Sequence, residues 1–102
     1  HVMIVPYEHV ERLDQVTADA RSEIFDLLYR TTVAIQSAYS PDGLNLGANI
    51  GQGSGAGIPD HLHFHALPRW NSDTNFMTTV AGARVIPEDL ALTLEKLRLN
   101  FK

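Results

Sequence analysis

The feature that most constrains the fold is a strict alternation of histidine with apolar residues in the second half of the chain. His61, His63 and His65 are separated by the single apolar residues Leu62 and Phe64. Successive side chains of a β-strand point to opposite faces, so a strand places the three imidazoles on one face within about 13 Å of one another. A helix would distribute them around its circumference. The segment therefore predicts a strand with one face on the core and a histidine-bearing face opposite.

A long helix and further strands accompany this segment. Apolar residues recur at helical spacing after Thr17, which is a plausible N-cap with Asp19 in the first turn. The turn signal at 40–43, Ser-Pro-Asp-Gly, ends that helix. The stripe expected to be buried consists of Ile24, Leu27, Leu28, Thr31 and Ile35. The helix is predicted to span residues 17–39. Strands are predicted at 2–5, at 44–50, at 58–67, where Pro68 ends the strand, and within 76–86. A polar turn is predicted at 71–75.

A second helix is predicted at the carboxyl end of the chain. Pro87 stands at its start, and Glu88 and Asp89 occupy the first turn, where the helix dipole favours negative charge. The apolar stripe of this helix consists of Leu90, Leu94, Leu97 and Phe101.

Size and composition exclude several classes of protein. A chain of 102 residues, 44% of them hydrophobic, predicts one small domain spanning residues 1–102. A net charge of −4 argues against a nucleic-acid partner, which needs a basic surface. The chain has no cysteine, which excludes disulfides, thiol catalysis and cysteine-ligated zinc, and is consistent with a cytoplasmic location. Apolar runs are too short to predict a membrane span.

A glycine-rich loop precedes the histidine strand and points to phosphate chemistry. Residues 51–57 include four glycines, which permit unusual dihedral angles and let backbone N–H groups approach an anion closely. Imidazole is a nucleophile, base, acid and hydrogen-bond donor near neutral pH. A central histidine such as His63 could attack phosphorus while its neighbours hold anionic oxygens, with its second ring nitrogen donating to a backbone carbonyl.

Two other interpretations of the histidines remain open at this point. A single buried histidine is commonly a hydrogen-bonded core residue, although three in strict alternation are unusual for that role. Alternating histidines also bind metals. Metal sites of the cupin type need a glutamate a few residues after the histidine pair, whereas the first acid here is Asp73 and the first glutamate is Glu88.

Five blocks of the sequence carry a family resemblance. Residues 61–67, His-Leu-His-Phe-His-Ala-Leu, resemble the histidine-triad motif of alternating histidine and apolar residues. Residues 68–70 (Pro-Arg-Trp) and 73–77 (Asp-Thr-Asn-Phe-Met) resemble the bacterial branch that contains diadenosine polyphosphate hydrolases and phosphorylases. Residues 45–51 resemble its Asn-x-Gly-x-Asn-x-Gly segment, and residues 1–6 its His-apolar-Val-x-Pro segment. The resemblance covers essentially the whole chain.

The resemblance implies an α+β fold: an antiparallel sheet meander, one long helix and a C-terminal helix, with protomers that commonly pair as homodimers. The family's N-terminal segment, which supplies much of the nucleoside pocket, is expected to be missing before His1. The resemblance makes His63 the nucleophile, with His61 and His65 hydrogen-bonded to phosphate oxygens and the leaving group, and leaves His9 as a surface or loop residue. The residues implied to bind substrate are His1, Asn49, Gly55, Ala56 and Gly57.

The expected function is cleavage of the α-phosphate linkage of dinucleoside polyphosphates, or of related nucleotidyl esters and amides, through a covalent nucleotidyl-histidine intermediate. A diadenosine tetraphosphate phosphorylase, a non-catalytic nucleotide-binding module and a metal-binding domain are the alternatives. The enzyme is expected to need no metal or cofactor of its own, with Mg²⁺ arriving only on the substrate. The expected partners are a nucleotide and a second copy of the chain, and neither nucleic acid nor a membrane is expected.

Overall fold

The structure, a computed structural model, describes residues 1–55, 61–71 and 88–101. Its longest element is helix α1, Ala18–Tyr39. Thr17 caps the helix, because its side chain accepts a hydrogen bond from the backbone N–H of Ala20. The helix ends where Ser40 adopts a left-handed conformation. The predicted buried stripe is confirmed: Ile24, Thr31 and Ile35 are buried, and Leu27 and Leu28 are partly buried against the core.

The described strands form one antiparallel sheet. They are β1 (Val2–Ile4), β2 (Gly43–Gly47) and β3 (Phe64–Arg69), in the spatial order β1-β3-β2. The predicted α+β fold with an antiparallel sheet is therefore confirmed, and β2 and β3 are sequential neighbours as in a meander. Strand β1 lies on the other side of β3, so the strand that follows the histidine run is central.

The predicted bounds of the strands need correction. The strand predicted for 58–67 begins at Phe64 and continues through Pro68 to Arg69, so the proline does not end it. The register of β1 with β3 stops at Ala66, so the missing N–H of Pro68 breaks no pair with β1. Strand β2 ends at Gly47 rather than at residue 50, and β1 ends at Ile4 rather than at residue 5. The strand predicted within 76–86 lies outside the described residues.

The core lies between the sheet and α1. Ile4 of β1, Ile24 of α1 and Leu62 pack in one buried cluster, with Phe64 against it. Ile4 and Phe64 are directly opposite each other in the sheet, so this face of β3 is the apolar one. Strand β1 buries only this face, since Met3 is 57% exposed.

The second helix, α2, spans Leu90–Asn100 and also differs from the prediction. Asp89 is its N-cap and accepts a hydrogen bond from the N–H of Ala91, so the acidic residues precede the helix rather than form its first turn. Pro87 lies outside the described residues. None of the helix residues is buried, and Leu90 of the predicted stripe is 83% exposed. The leucine spacing correctly predicted a helix. However, little of the predicted apolar stripe of this helix packs on the core.

Polar contacts connect α1 to α2 and to the residue before its N-cap. Glu88 accepts hydrogen bonds from Tyr39 (2.6 Å), Lys96 (2.6 Å) and Thr93. We call these four residues the Glu88 cluster. The three donors hold the pKa of Glu88 down, to about 2, with Lys96 the largest cause.

Neither described helix is long and apolar enough to cross a bilayer.

Candidate functional site

Three imidazoles lie together where β3 begins. The ring centroids of His63 and His65 are 4.9 Å apart in an edge-to-face arrangement, and those of His65 and His1 are 4.8 Å apart. We call these three residues the histidine cluster. His1 directly precedes β1, and the pairing of Met3 with His65 brings this end of the chain beside the triad segment, although 64 residues separate them in the sequence. The cluster therefore depends on the β1–β3 register.

The ring of His63 is held by the backbone of its own segment. Its Nδ1 lies 2.9 Å from the carbonyl oxygen of His61. A carbonyl only accepts hydrogen bonds, so Nδ1 of His63 must carry the hydrogen. In the neutral ring, Nε2 then has the free lone pair. The structure thus contains the carbonyl contact that the sequence analysis expected for a nucleophilic histidine.

His61 is oriented away from this arrangement and towards the loop after β1. Its Nε2 lies 3.1 Å from the carbonyl oxygen of Pro6, and its ring centroid is 4.9 Å from that of His9. The same loop holds the next residue, because the N–H of Leu62 donates to the carbonyl oxygen of Val10 at 2.7 Å. The Nε2 of His61 is therefore already hydrogen-bonded to protein, and the predicted contact of His61 with phosphate stays a prediction.

His65 is the most buried of the three triad side chains. It is 7% exposed and lies in the centre of the sheet, paired with Met3 on β1 and Gly47 on β2. Burial lowers the pKa of His65, and the nearby His63 lowers it further. Both effects disfavour the cationic imidazolium. His65 is accordingly a neutral hydrogen-bonding group near neutral pH.

The start of the predicted glycine cradle is described. Gly51 (φ 81°) and Gly55 (φ 84°) both adopt positive φ, which a side chain at either position would strain, and a short 3₁₀ turn at Gln52–Ser54 joins them. Asn49 lies two residues beyond β2 and is half-buried. The predicted phosphate contacts at Ala56 and Gly57 lie outside the described residues.

The described residues also bear on the alternative of a metal centre. Within residues 1–55, 61–71 and 88–101, no three histidine or carboxylate side chains converge as a metal site requires. In the histidine cluster, the facing nitrogens of His1 and His65 are hydrogen-bonded to each other.

Comparison with known proteins places this arrangement in a family. The profile of the HIT domain matches residues 1–72. The chain belongs to the HIT domain family. It is 36% identical, over 99% of its length, to a protein of Mycobacterium tuberculosis named AP-4-A phosphorylase, and it covers 52% of that protein. It therefore spans about half the length of this curated relative.

Two further comparisons agree with the HIT assignment. Over 72% of the chain, identity is 29% to the bis(5'-nucleosyl)-tetraphosphatase [asymmetrical] of Schizosaccharomyces pombe, of which the chain covers 40%. Among solved structures, a hypothetical histidine triad nucleotide-binding protein from Sulfolobus tokodaii superimposes with a TM-score of 0.75. The two are 27% identical, and the match covers 97% of this chain and 67% of the other.

Two features of this HIT domain were not predicted from the sequence. His9, expected to be a surface or loop residue, is indeed exposed, but its ring packs against that of His61. The position of Pro6 is equally informative, since its carbonyl oxygen fixes the orientation of the His61 ring. The residue type does not show which backbone carbonyl accepts a hydrogen bond, so the spacing of residues in the sequence could not predict this contact.

Proposed function

We propose that this HIT domain is a nucleotidyl hydrolase or transferase that cleaves the α-phosphate linkage of dinucleoside polyphosphates or of related nucleotidyl esters and amides. The observation that carries the proposal is the hydrogen bond from Nδ1 of His63 to the carbonyl oxygen of His61. This contact leaves the Nε2 lone pair of the neutral ring available as a nucleophile.

The proposed reaction has two steps. Nε2 of His63 attacks the α-phosphorus, an N–P bond forms, and the bond to the bridging oxygen breaks, so the remainder of the polyphosphate leaves. Water or another acceptor then attacks the same phosphorus and releases the nucleotide, restoring neutral His63. With diadenosine tetraphosphate, the leaving group of the first step is ATP, and the acceptor water yields AMP.

The charge that develops on the phosphoryl oxygens needs fixed donors. His65 lies beside His63 and is buried, so a hydrogen bond from its ring would be little screened by water. We assign further donors to the backbone of 55–57 and to Asn49. These groups could perform the reaction without a resident metal, and Mg²⁺ would enter only with the substrate. A cytoplasmic site of action, where nucleotides are abundant, completes the proposal.

The decisive experiment is intact-protein and peptide mass spectrometry after rapid mixing with diadenosine tetraphosphate. We expect an added AMP group on the peptide that contains His63 and no adduct in His63→Asn. His9→Asn is the matched control, since it makes the same change at an exposed histidine outside the histidine cluster, and it should still form the adduct. Turnover without any adduct would contradict the covalent mechanism, and tight binding without turnover would favour a non-catalytic nucleotide-binding module.

A second candidate is phosphorolysis, which is favoured by the 36% identity to the protein named AP-4-A phosphorylase. Both candidates share the first step and differ only in the acceptor. Inorganic phosphate would yield ADP plus ATP from diadenosine tetraphosphate, whereas water yields AMP plus ATP. Chromatography of the products with and without phosphate separates the two.

A homodimer is also part of the proposal. Helix α1 carries an apolar stripe on its outer side, formed by Phe25 (75% exposed), Tyr29 (63%) and Val33 (39%). These positions are four residues apart and therefore lie on one face of the helix. Such a stripe supports burial against a second copy. Light scattering should report a dimer for the wild-type chain and a monomer for Phe25→Glu, and a wild-type monomer would contradict the proposal.

A further inference from the structure

Helix α2 turns a mostly polar side towards the rest of the molecule. Its partly buried residues are Thr93, Lys96, Leu97 and Asn100, which recur at helical spacing and therefore share one side. Lys96 lies against α1, with its Nζ 5.1 Å from the centroid of the Tyr39 ring. Three of the four residues are polar, whereas a surface helix ordinarily packs an apolar side on its protein. Most leucines of α2 therefore lie on its other sides.

The side of α2 opposite these residues is exposed and carries leucines. Five residues line an open groove there of about 280 Å³, and we call them the outer face of α2: Ala91, Leu94, Glu95, Arg98 and Leu99. Their spacing of i, i+3, i+4, i+7 and i+8 is that of a helix face that packs against another element. Leu94 is 53% exposed and Leu99 is 76% exposed. Exposed apolar residues grouped on one face indicate an interaction surface.

The charges within the outer face indicate which partner fits it. Glu95 and Arg98 are three residues apart in the sequence, between Leu94 and Leu99. When two copies of α2 meet antiparallel, with the two-fold axis level with the middle of 96–97, Glu95 of one copy lies level with Arg98 of the other. Symmetry gives the second such pair, and Leu94 lies level with Leu99. A parallel pair would instead place like charges together.

We propose that the outer face of α2 binds the outer face of α2 in a second copy of the chain, as an antiparallel helix pair. This surface is separate from the α1 stripe of the proposed homodimer, so the contact joins homodimers to one another. A helix of 11 residues buries much less area than a standard interface. We therefore expect half-association only at about 100 µM chain, above the concentration at which light scattering reports the homodimer.

Two charge reversals test the pairing. Glu95→Arg makes the outer face positive and Arg98→Glu makes it negative, so like charges meet in each self-pair. Sedimentation velocity between about 5 and about 500 µM should show the mean mass of wild type doubling, with association of either variant alone weakened at least about 10-fold. An equimolar mixture of the two variants should associate at least as strongly as wild type, because the positive face of one meets the negative face of the other.

The controls separate this pairing from other effects of charge. Each reversal changes the net charge of −4 by two units, so both variants stay negative and have no overall attraction for each other. Glu11→Arg makes the same change on an exposed loop residue and should associate as wild type does. Leu99→Ser removes apolar area without changing charge and should also weaken association, which keeps the test available if a charge variant fails to fold.

Three outcomes would overturn the inference. The first is a wild-type mass that stays constant over the whole concentration range. The second is equal association of wild type and Glu95→Arg. The third is a mixture of the two variants that associates no more than each variant alone, which would mean that the outer face binds something other than its own copy. None of these measurements depends on turnover of a nucleotide, so failure of the proposed function leaves the test intact.

Discussion

The histidine cluster and the Glu88 cluster are both networks of polar side chains, but their protonation behaves differently. The histidine cluster consists of imidazoles, in which each ring nitrogen can be a hydrogen-bond donor or an acceptor. In the Glu88 cluster, the carboxylate is held at a pKa of about 2, and the pKa values of Tyr39 and Lys96 are raised. Its charges therefore do not change near neutral pH.

This difference indicates what each network can do. A network of fixed charges holds two helices together, and it cannot move a proton near pH 7. The imidazoles are held in defined orientations by backbone carbonyls and by one another, and they can still exchange protons. We therefore expect variants in the histidine cluster to change activity more than stability, and variants in the Glu88 cluster to do the reverse.

The largest expected effect is that of His63→Asn on turnover. Loss of the nucleophile should lower kcat for diadenosine tetraphosphate by at least about 10³-fold. The thermal midpoint should stay close to that of wild type, because the ring is half-buried and forms one neutral hydrogen bond with its own segment. Steady-state kinetics and calorimetry check the two parts. Retention of full activity would refute the role of His63.

The converse effect is expected from Glu88→Gln. The folded pKa of Glu88, about 2, lies below its ordinary value of 4.5, so ionised Glu88 stabilises the fold. That contribution is fully present above pH 4.5 and is lost as the pH falls towards 2. In the variant, urea midpoints should be lower than in wild type at pH 7, and the difference should narrow between pH 4.5 and 2, with kcat unchanged at neutral pH.

The control for this measurement is Glu95→Gln, which makes the same change on an exposed residue of α2. Its urea midpoint should stay near that of wild type throughout the pH range. Equal destabilisation by both variants would mean that the overall charge of the helix, rather than the Glu88 cluster, determines the stability of the α1–α2 contact.

A smaller effect is expected when the ring of His61 is removed. His61→Phe keeps the backbone carbonyl that accepts from His63 and loses the hydrogen bond to Pro6, so the triad segment is held less firmly. We expect kcat to fall by about 10-fold, the size of one neutral hydrogen bond. A loss as large as that of His63→Asn would show that the ring of His61 takes part in the chemistry.

The smallest expected effect involves neither cluster. Thr17→Ala removes the side-chain oxygen that caps α1 and should lower the free energy of unfolding by about 1 kcal/mol, with kcat unchanged. Urea denaturation at pH 7 measures the loss, and Thr17→Ser should restore most of it. An unchanged unfolding free energy would mean that water replaces the cap.

The elements were predicted well where the capping residue and the apolar spacing in the sequence agree with the burial seen in the structure. Helix α1 was predicted to within one residue, because the Thr17 cap and the apolar stripe specify the same helix. The alternation of the triad segment correctly predicted that Leu62 and Ala66 are buried, but it did not predict that His65 is buried as well. Helix α2 was less well predicted, since leucine spacing gives a helix but not the partner against which it packs. The same spacing is compatible with the observed exposure of Leu90.

The sequence by itself determined the local chemistry on offer: three imidazoles alternate with apolar residues after a glycine loop, although only His65 lies within the strand, since β3 begins at Phe64. That information is local, because a strand has a period of two residues. The tertiary structure decided which imidazoles meet and which backbone carbonyls lie beside them. The β1–β3 register places His1 against His65, and the loop after β1 offers the Pro6 carbonyl to His61. These contacts join residues more than 50 positions apart through backbone acceptors and ring orientations, and neither is encoded in residue type or spacing.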